Sequence, residues 1–436
     1  MPRSWNSTAA WPLPAPMASP ELLTVAEALA LILDSVAPLG AENVALLDAL
    51  GRVLAKPVVA ADSLPPFANS SMDGYAVRAA DLAHAGPEAG VTLRVVADVA
   101  AGAPSAVAVT PGTAARIMTG APLPDGADAV VPVEDTDEPW RDRDRPLPET
   151  VSVRRAVGPG DYVRYPGEDV RAGQTVLEAG HVVRPQEIGV LASLGVAEVA
   201  VVRRPRVGVL ATGDELIDVA APLTPGKIRN SNGYAQVAQV RALGGEAIML
   251  GVAGDREDEV RARLDAGVAA GVDLLVSSAG VSVGAYDVVK AVLAAAGGVA
   301  FWRVRMRPGK PLAFGAYRGV PFLGLPGNPV SAMVSFERFA RPAILRMAGR
   351  RELARPSVSA VVLEELHSDG RESYLRAIVS RDERGYVART TGGQGSHMMT
   401  SLVQANALLI VPEGVTVVAA GSMLQAMMID WPGDVF

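Results

Sequence analysis

The stretch DLLVSSAGVSVGAYD, Asp273 to Asp287, decides how the surrounding chain is read. Leu274, Leu275 and Val276 form a short apolar run suited to a fully buried strand. Small residues follow, Ser277, Ser278, Ala279, Gly280, Ser282 and Gly284. Beyond Tyr286 and Asp287 the spacing turns helical, with Val288, Val289, Val292 and Leu293 on one side and Gly297-Gly298 as the stop. A strand, a Gly/Ser loop and a helix bring bare N–H groups and the positive end of a helix to one place, where an anion can sit. Asp287 puts a carboxylate beside that cradle, and a phosphate with a divalent metal would explain both. An ordinary tight strand-to-helix connection has the same outline.

Working outward, residues Arg206 to about Gly349 alternate strand-like and helical patterns. The apolar runs are Val207–Leu210, Ala247–Val252, Leu274–Val276, Val299–Val304 and Phe322–Leu325. Helical spacing falls at Tyr234–Leu243, Glu257–Ala269 and Val288–Ala296. Such alternation predicts a mostly parallel sheet covered on both faces. Ligands of such sheets bind outside the carboxyl ends of the strands. That rule puts ATGDEL (211–216), the Gly280 loop and LPGNPVS (325–331) on one rim.

Earlier in the chain, residues 1–20 carry five prolines among Ala and Ser and are expected to be a disordered leader. Thr24-Val25-Ala26-Glu27 fits a capping box that opens a helix containing Ala28, Leu29, Ile32, Leu33 and Val36. A second helical pattern covers Leu46 to Leu54 and a third lies within 181–200. Residues 21–60 and 166–204 are therefore expected to form one elongated helical unit from two segments. Between them, 61–165 alternates β-rich runs with Gly/Pro turns, as a β insertion would. Residues 205–352 form the α/β domain, and 353–436 read as a small β-barrel or sandwich.

The whole-chain numbers exclude several classes. At 436 residues the chain exceeds one typical core. With 49% hydrophobic and 20% charged residues it is globular. No apolar run has the length of a membrane span, and the N-terminus lacks a secretory core. There is no cysteine and there are four histidines, which rules out disulfides and argues against a His/Cys zinc site. A net charge of −7 argues against a general nucleic-acid binder. The expected setting is the cytoplasm.

Five acids stand out because they lie in expected loops, four of them beside or one residue from a glycine. They are Asp73 in SMDGYA, Asp169 in GED, Glu215 in GDEL, Asp255 in GDRED and Asp287. Mg²⁺ takes oxygen ligands, often one or two carboxylates with phosphate and water. Such a site needs the fold to bring the acids together, and each alone could be a solvated surface charge. In FWRVRMRPGKP, Arg303, Arg305 and Arg307 alternate and would share one face of a strand, with Lys310 at the rim as a local positive site. In LPGNPVSAMVS, Pro329 suits a first helical turn and Asn328 can cap it. RIMTGAPLP contributes Thr119 and Gly120 at a strand end.

Eight motifs occur in order: SSMDGYAVR, RIMTGAPLP, GED, ATGDEL, SSAGVSVGAYD, RPGKP, LPGNPVSA and TGGQGSHMMTS. Together they resemble the molybdopterin molybdenumtransferase family (MoeA-type, related to the E domain of gephyrin), from about residue 21 to the end. The resemblance implies a split helical region, a β insertion, an α/β molybdopterin-binding domain and a C-terminal β-barrel. It also implies a homodimer whose cleft combines the α/β domain with the partner's insertion. The implied reaction takes adenylated molybdopterin and molybdate, hydrolyses the pyrophosphate-type bond with Mg²⁺ or another divalent cation, releases AMP and leaves molybdenum on the dithiolene. A molybdopterin adenylyltransferase is an implied possible partner.

Carried over motif by motif, Asp73, Asp169, Glu215, Asp287 and Lys310 correspond to catalytic positions, with Asp73, Glu215 and Asp287 as metal ligands. Thr119, Gly120, Asp255, Ser278, Gly280, Ser282, Gly284 and Arg307 correspond to substrate-binding positions. So do Pro326, Gly327, Asn328, Pro329, Arg376 and Ser396. Arg307 stands where many relatives carry Lys, and Ala279 replaces a loop glycine. A non-catalytic molybdopterin-binding scaffold and an adenylyltransferase are the competing readings. Retention of all the motif acids favours an enzyme over a scaffold, and the SMDGYA and C-terminal regions disfavour the smaller adenylyltransferases.

Overall fold

The computed structural model describes residues 22–103, 106–138, 146–278, 288–296, 298–383 and 385–430. The chain divides into two compact units, one of Met1–Val44, Gly51–Ala55 and Ala200–Phe436, the other of Ala45–Leu50 and Lys56–Val199.

The first unit is built on a seven-stranded sheet. Its strands are β1 (Leu22–Leu23), β2 (Arg206–Thr212), β3 (Glu246–Ala253), β4 (Leu274–Ser278), β5 (Val299–Val304), β6 (Pro311–Tyr317) and β7 (Val320–Leu325), in the order β1-β5-β6-β7-β4-β2-β3. All pairings are parallel except those of β6, which runs antiparallel to β5 and β7. The mostly parallel sheet expected from the alternation is present, and β1 and β6 are the strands that the apolar pattern did not single out. Because β6 is reversed, it begins at the carboxyl-end rim, so the turn before it, Arg305–Lys310, lies on that rim.

Helices α1 (Val25–Asp34), α2 (Ser231–Ala242), α3 (Glu257–Ala269), α4 (Val288–Ala295) and α5 (Pro329–Ser335) accompany the sheet. The Thr24 capping box is formed, with Thr24 N–H donating to Glu27 Oε2 at 2.8 Å and Glu27 N–H to Thr24 Oγ1 at 3.1 Å. Two apolar clusters fill the unit around the sheet. One joins α1, α2 and α5 residues such as Ile32, Val240 and Val334 to Val209, Val276 and Leu323. The other joins Val260, Leu264, Val289 and Val292 to Leu210, Leu275 and Phe322. Burial of this kind supplies the main drive for folding.

Five further strands close into a barrel: β8 (Ser357–Val362), β9 (Glu372–Asp382), β10 (Gly385–Thr390), β11 (Ala407–Val411) and β12 (Met423–Met428). They pair in the circuit β9-β10-β8-β12-β11 and back to β9, around Val362, Ala377, Leu409 and Ala426. Closure removes the free edges that a small sheet would expose.

In the second unit a five-stranded sheet carries Gly74–Val77 at its interior, between Thr113–Ile117 and Ala129–Pro132, with Val91–Val99 and Thr150–Val153 beyond. The β insertion thus has the expected strands. The flanking segments are less helical than their spacing predicts. Leu46–Leu54 yields only a short 3-10 turn at Leu46–Ala49, with Leu47 and Leu50 exposed and Gly51 at φ 75°. Within 181–200 the helix is Pro185–Ser193, and Glu198–Val202 is a strand. An apolar residue at helical spacing forms a stable helix only where packing rewards it, and Leu47 and Leu50 stay largely exposed. Among the described residues no helix is long and apolar enough to cross a membrane.

Candidate active site

The carboxyl ends of β2, β4 and β7 are neighbours, so the loops that follow them share one rim. A cleft of about 900 Å³ opens there. Its described lining includes Glu215, Ser278, Arg307, Lys310, Pro326, Gly327, Asn328, Pro329 and Ser396. These residues come from five motifs spread between Glu215 and Ser396, and long-range pairing is what joins them.

Each wall is held by identifiable bonds. After β2, Gly213 adopts φ 141°, and a Cβ there would lie 2.4 Å from Glu215 Oε2, so the carboxylate folds back over this glycine. Ser278 ends β4 and is 1% exposed. The turn between β5 and β6 presents Arg307 and Lys310, closed by Val304 N–H donating to the Lys310 carbonyl at 2.7 Å. Gly309 has φ 112° and sits against Ser335, whose Oγ would be 2.5 Å from an added Cβ. Trp302, Val304 and Met306 are buried while Arg303, Arg305 and Arg307 point outward, which is the alternation expected for that strand.

The LPGNP turn differs from its sequence reading in one respect. Pro329 does begin α5, but Asn328 makes no side-chain cap. The Val330 N–H instead donates to the Ser396 carbonyl at 3.0 Å, and Asn232 Nδ2 donates to the Gly327 carbonyl at 2.7 Å. The Ser396 backbone carbonyl from the barrel loop therefore takes the place of the local cap, while Asn232 from α2 ties down the turn, an arrangement that no local pattern reveals.

Of the further lining residues, Arg229, Asn230, Asn232 and Arg371 lie outside the quoted motifs, and Gln394 and His397 lie within TGGQGSHMMTS without having been assigned a role. Asn230 caps α2 through its Oδ1, which accepts from Gly233 N–H at 2.9 Å, so a cap signal was available in the sequence. Arg229 donates from Nε to the Val219 carbonyl at 3.0 Å. Arg229, Arg307, Lys310 and Arg371 face a lining in which Glu215 is the single described carboxylate, so the cleft is cationic on an acidic chain. A concave cationic surface concentrates anions.

Arg376 does not line the cleft. It is 1% exposed, and its Nε donates to Ser401 Oγ at 2.9 Å while Nη2 donates to the carbonyls of Gly393 and Gly395 at 3.2 and 3.1 Å. Burial, with Arg307 nearby, pushes its guanidinium pKa down. Its place is behind the loop that brings Gln394 and Ser396 to the cleft. Asp255 follows β3, is exposed, and lies outside the cleft lining, with its N–H donating to Asp214 Oδ1 at 3.0 Å. Gly280, Ser282, Gly284 and Asp287 lie outside the described residues, as does Ala279.

In the second unit, Asp73, Thr119 and Gly120 come together. Thr119 donates from both N–H and Oγ1 to Asp73 Oδ1, each at 2.7 Å, and Gly120 N–H donates to the Ser70 carbonyl at 2.8 Å. Asp169 is placed separately, exposed beside the Leu64–Pro65 turn through its N–H to the Leu64 carbonyl at 3.0 Å. Among the described residues no group of three or more His, Asp or Glu is disposed to hold a metal.

Sequence and structure relatives agree with this architecture. Residues 23–195 match the MoeA N-terminal region (domain I and II), 208–346 a probable molybdopterin binding domain, and 359–428 the MoeA C-terminal region (domain IV). The chain is similar to molybdopterin molybdenumtransferase 2 of Mycobacterium tuberculosis, 44% identical over 390 residues, covering 88% of this chain and 94% of that protein. It is 36% identical over 404 residues to the molybdopterin molybdenumtransferase of Haemophilus influenzae, covering 92% and 97%. Among solved structures, the molybdopterin biosynthesis moeA protein of Pyrococcus horikoshii OT3 superposes with a TM-score of 0.78 at 30% identity, covering 94% of this chain and 100% of that one. Fold and cleft define a multidomain α/β and β-barrel protein with a cationic rim cleft. The chain belongs to the MoeA-type molybdopterin molybdenumtransferase family.

Proposed function

We infer that the cationic rim cleft is where this chain works as a molybdopterin molybdenumtransferase in molybdenum cofactor biosynthesis, with molybdopterin and molybdate as substrates. The observation that carries this is the convergence of Arg307, Lys310, Ser278, Ser396 and the LPGNP turn on one cleft. Both substrates are oxyanions or carry phosphate, and such groups are held by Arg and Lys side chains and by backbone N–H donors.

In finer detail, the pterin substrate is proposed to arrive adenylated. Water attacks phosphorus, the P–O bond to the other phosphate breaks and AMP leaves; the two dithiolene sulfurs displace one oxide of molybdate, which departs as water with the two thiol protons. Ser278, Ser396, Arg307 and Lys310 bind and orient the oxyanions. Glu215, Asp287 and Asp73 are the acids proposed to hold Mg²⁺ or another divalent cation, which when bound neutralises phosphoryl charge. Asp169 is proposed to assist at the reacting end, and Gly280, Ser282 and Gly284 to hold phosphate. The assembly is proposed to be a homodimer in which Asp73 and Thr119 serve the partner's cleft. The cytoplasm is the proposed setting, with a molybdopterin adenylyltransferase as a supplier of substrate.

Purified protein given adenylated molybdopterin, molybdate and Mg²⁺ is expected to release AMP and yield molybdenum-loaded cofactor. EDTA is expected to stop AMP release, and a rate indifferent to EDTA would remove the cation from the proposal. Asp73→Asn and Asp287→Asn should each be inactive yet regain part of the activity when mixed and allowed to exchange subunits. Exchange shown by labelling, without recovery, would mean the two acids do not act across a dimer.

A further inference from the structure

Two of the four cations that line the cleft share one carboxylate that does not line it. Asp369, in the turn before β9, receives the Arg371 guanidinium through Nε at 3.1 Å to both of its oxygens and through Nη2. The Arg371 N–H adds a bond to Oδ1 at 3.2 Å. Arg371 is held from its other side as well, since Nη1 donates to the Met306 carbonyl at 3.0 Å. Arg307 approaches the same carboxylate differently. Its Nη1 stands 3.9 Å from Asp369 Oδ2, too long for a hydrogen bond, and its side chain is 45% exposed. One guanidinium is thus clamped, and the other is attracted but unbonded.

We propose that Asp369 is an affinity-setting residue, an internal competitor that holds Arg307 beside the clamped Arg371 until a substrate oxyanion draws Arg307 into the cleft. The inference rests on the reading of the cleft as the anion site. A dianion entering near Lys310 offers Arg307 a charge-assisted, bidentate partner, which outcompetes a 3.9 Å contact exposed to water. Asp369 also subtracts from the positive potential of the cleft. Its charge therefore weakens anion capture and eases release of anionic product. Arg371 keeps its place during the exchange through the Met306 carbonyl.

This role has an experimental sign opposite to that of a scaffold residue. Asp369→Asn should tighten binding of molybdate and of AMP by roughly three- to tenfold at low ionic strength, measured by calorimetry on the full chain. The dependence of affinity on salt should become steeper, because an uncompensated Arg307 adds to the long-range attraction. If Asp369 merely positions Arg371, the same variant weakens binding, and that result overturns the proposal. Unchanged affinity also overturns it. Asp369→Ser repeats the test should the Asn variant fold poorly. Glu413→Gln is the control for a general surface-charge effect, since Glu413 pairs with Arg305, which does not line the cleft. Equal tightening in Glu413→Gln and Asp369→Asn would refute a specific role. Arg307→Met should abolish the effect of Asp369→Asn in the double variant, and tightening that persists there also refutes it. Lys310→Ala separates the two levels of inference. If it leaves anion binding intact, the cleft reading itself fails. If it weakens binding while Asp369→Asn does not tighten it, only the competitor role fails.

Discussion

Thr119 donates twice to one oxygen of Asp73, from its backbone N–H and from its hydroxyl, both at 2.7 Å. Two donors on a single oxygen fix the rotation of the carboxylate and leave its orientation independent of solvent, although the acid is exposed. The pairing joins a loop before the strand Gly74–Val77 to the loop after Thr113–Ile117, which are antiparallel neighbours. Thr119→Ser should keep both bonds and most activity. Thr119→Val keeps shape but loses the hydroxyl, and is expected to lower kcat about tenfold, or ~1.4 kcal/mol of barrier, with little change in melting temperature. A Val variant with normal turnover would remove Asp73 orientation from the mechanism.

Lys310 is exposed on the rim and, among the described residues, is anchored through its backbone, so its side chain is available to ligand. Lys310→Ala should raise the KM for molybdate at least tenfold while thermal stability stays within a degree or two. Kinetics at varied molybdate with a parallel melting curve decide this. A fall in stability without a change in KM would make the residue structural.

Gly309 is tested by the smallest possible insertion. Gly309→Ala places a Cβ 2.5 Å from Ser335 Oγ in a backbone region, φ 112°, that L-residues avoid. Destabilisation of about 1–3 kcal/mol is expected, with weaker molybdate binding because Lys310 moves with the turn. Adding Ser335→Ala relieves the contact but not the backbone strain, so recovery in denaturant titrations should be partial. Full recovery would show that crowding alone was the cost.

Glu187 carries the pH prediction. It is buried in the second unit, accepts from Arg184 and pairs with His181 Nε2 at 3.0 Å, and the Arg184 guanidinium holds its carboxyl well below the usual range. A depressed native pKa means that its stabilisation is present above the unfolded value near 4.3 and fades as pH falls toward the native one. Glu187→Gln should therefore cost about 1–2 kcal/mol at pH 7, after discounting for the half-exposed Arg184. The difference from wild type should shrink steadily below pH 4. A gap that is constant from pH 7 to 3 would exclude the ion pair as its source.

Much of the fold was legible along the chain, because strand and helix periods are local. Glu257–Ala269 is a helix with the bounds its spacing suggests, and Leu274–Ser278 is the buried strand that its apolar run and small residues imply. The capping box at Thr24 is equally local, needing only four consecutive residues. The motif order was enough to name the family, since each motif is short and contiguous.

Tertiary structure decided what depends on distance. Leu46–Leu54 has a helical pattern, yet Leu47 is 77% exposed and only a 3-10 turn at Leu46–Ala49 forms, because the pattern cannot tell whether a core is present to receive it. Arg376 is charged and the family resemblance implied a ligand contact for it, whereas the closed barrel buries it behind the Gly393–Ser396 loop. Asn328 seemed a cap until Ser396, from another part of the fold, supplied the bond. Lys310 reaches the rim because β6 runs against its neighbours, and strand direction is a property of pairing, not of residues read one by one. Residue type and spacing determine local conformation and available chemistry. Which groups share a cleft follows from sheet order, set by long-range hydrogen bonds and core packing that no single segment contains.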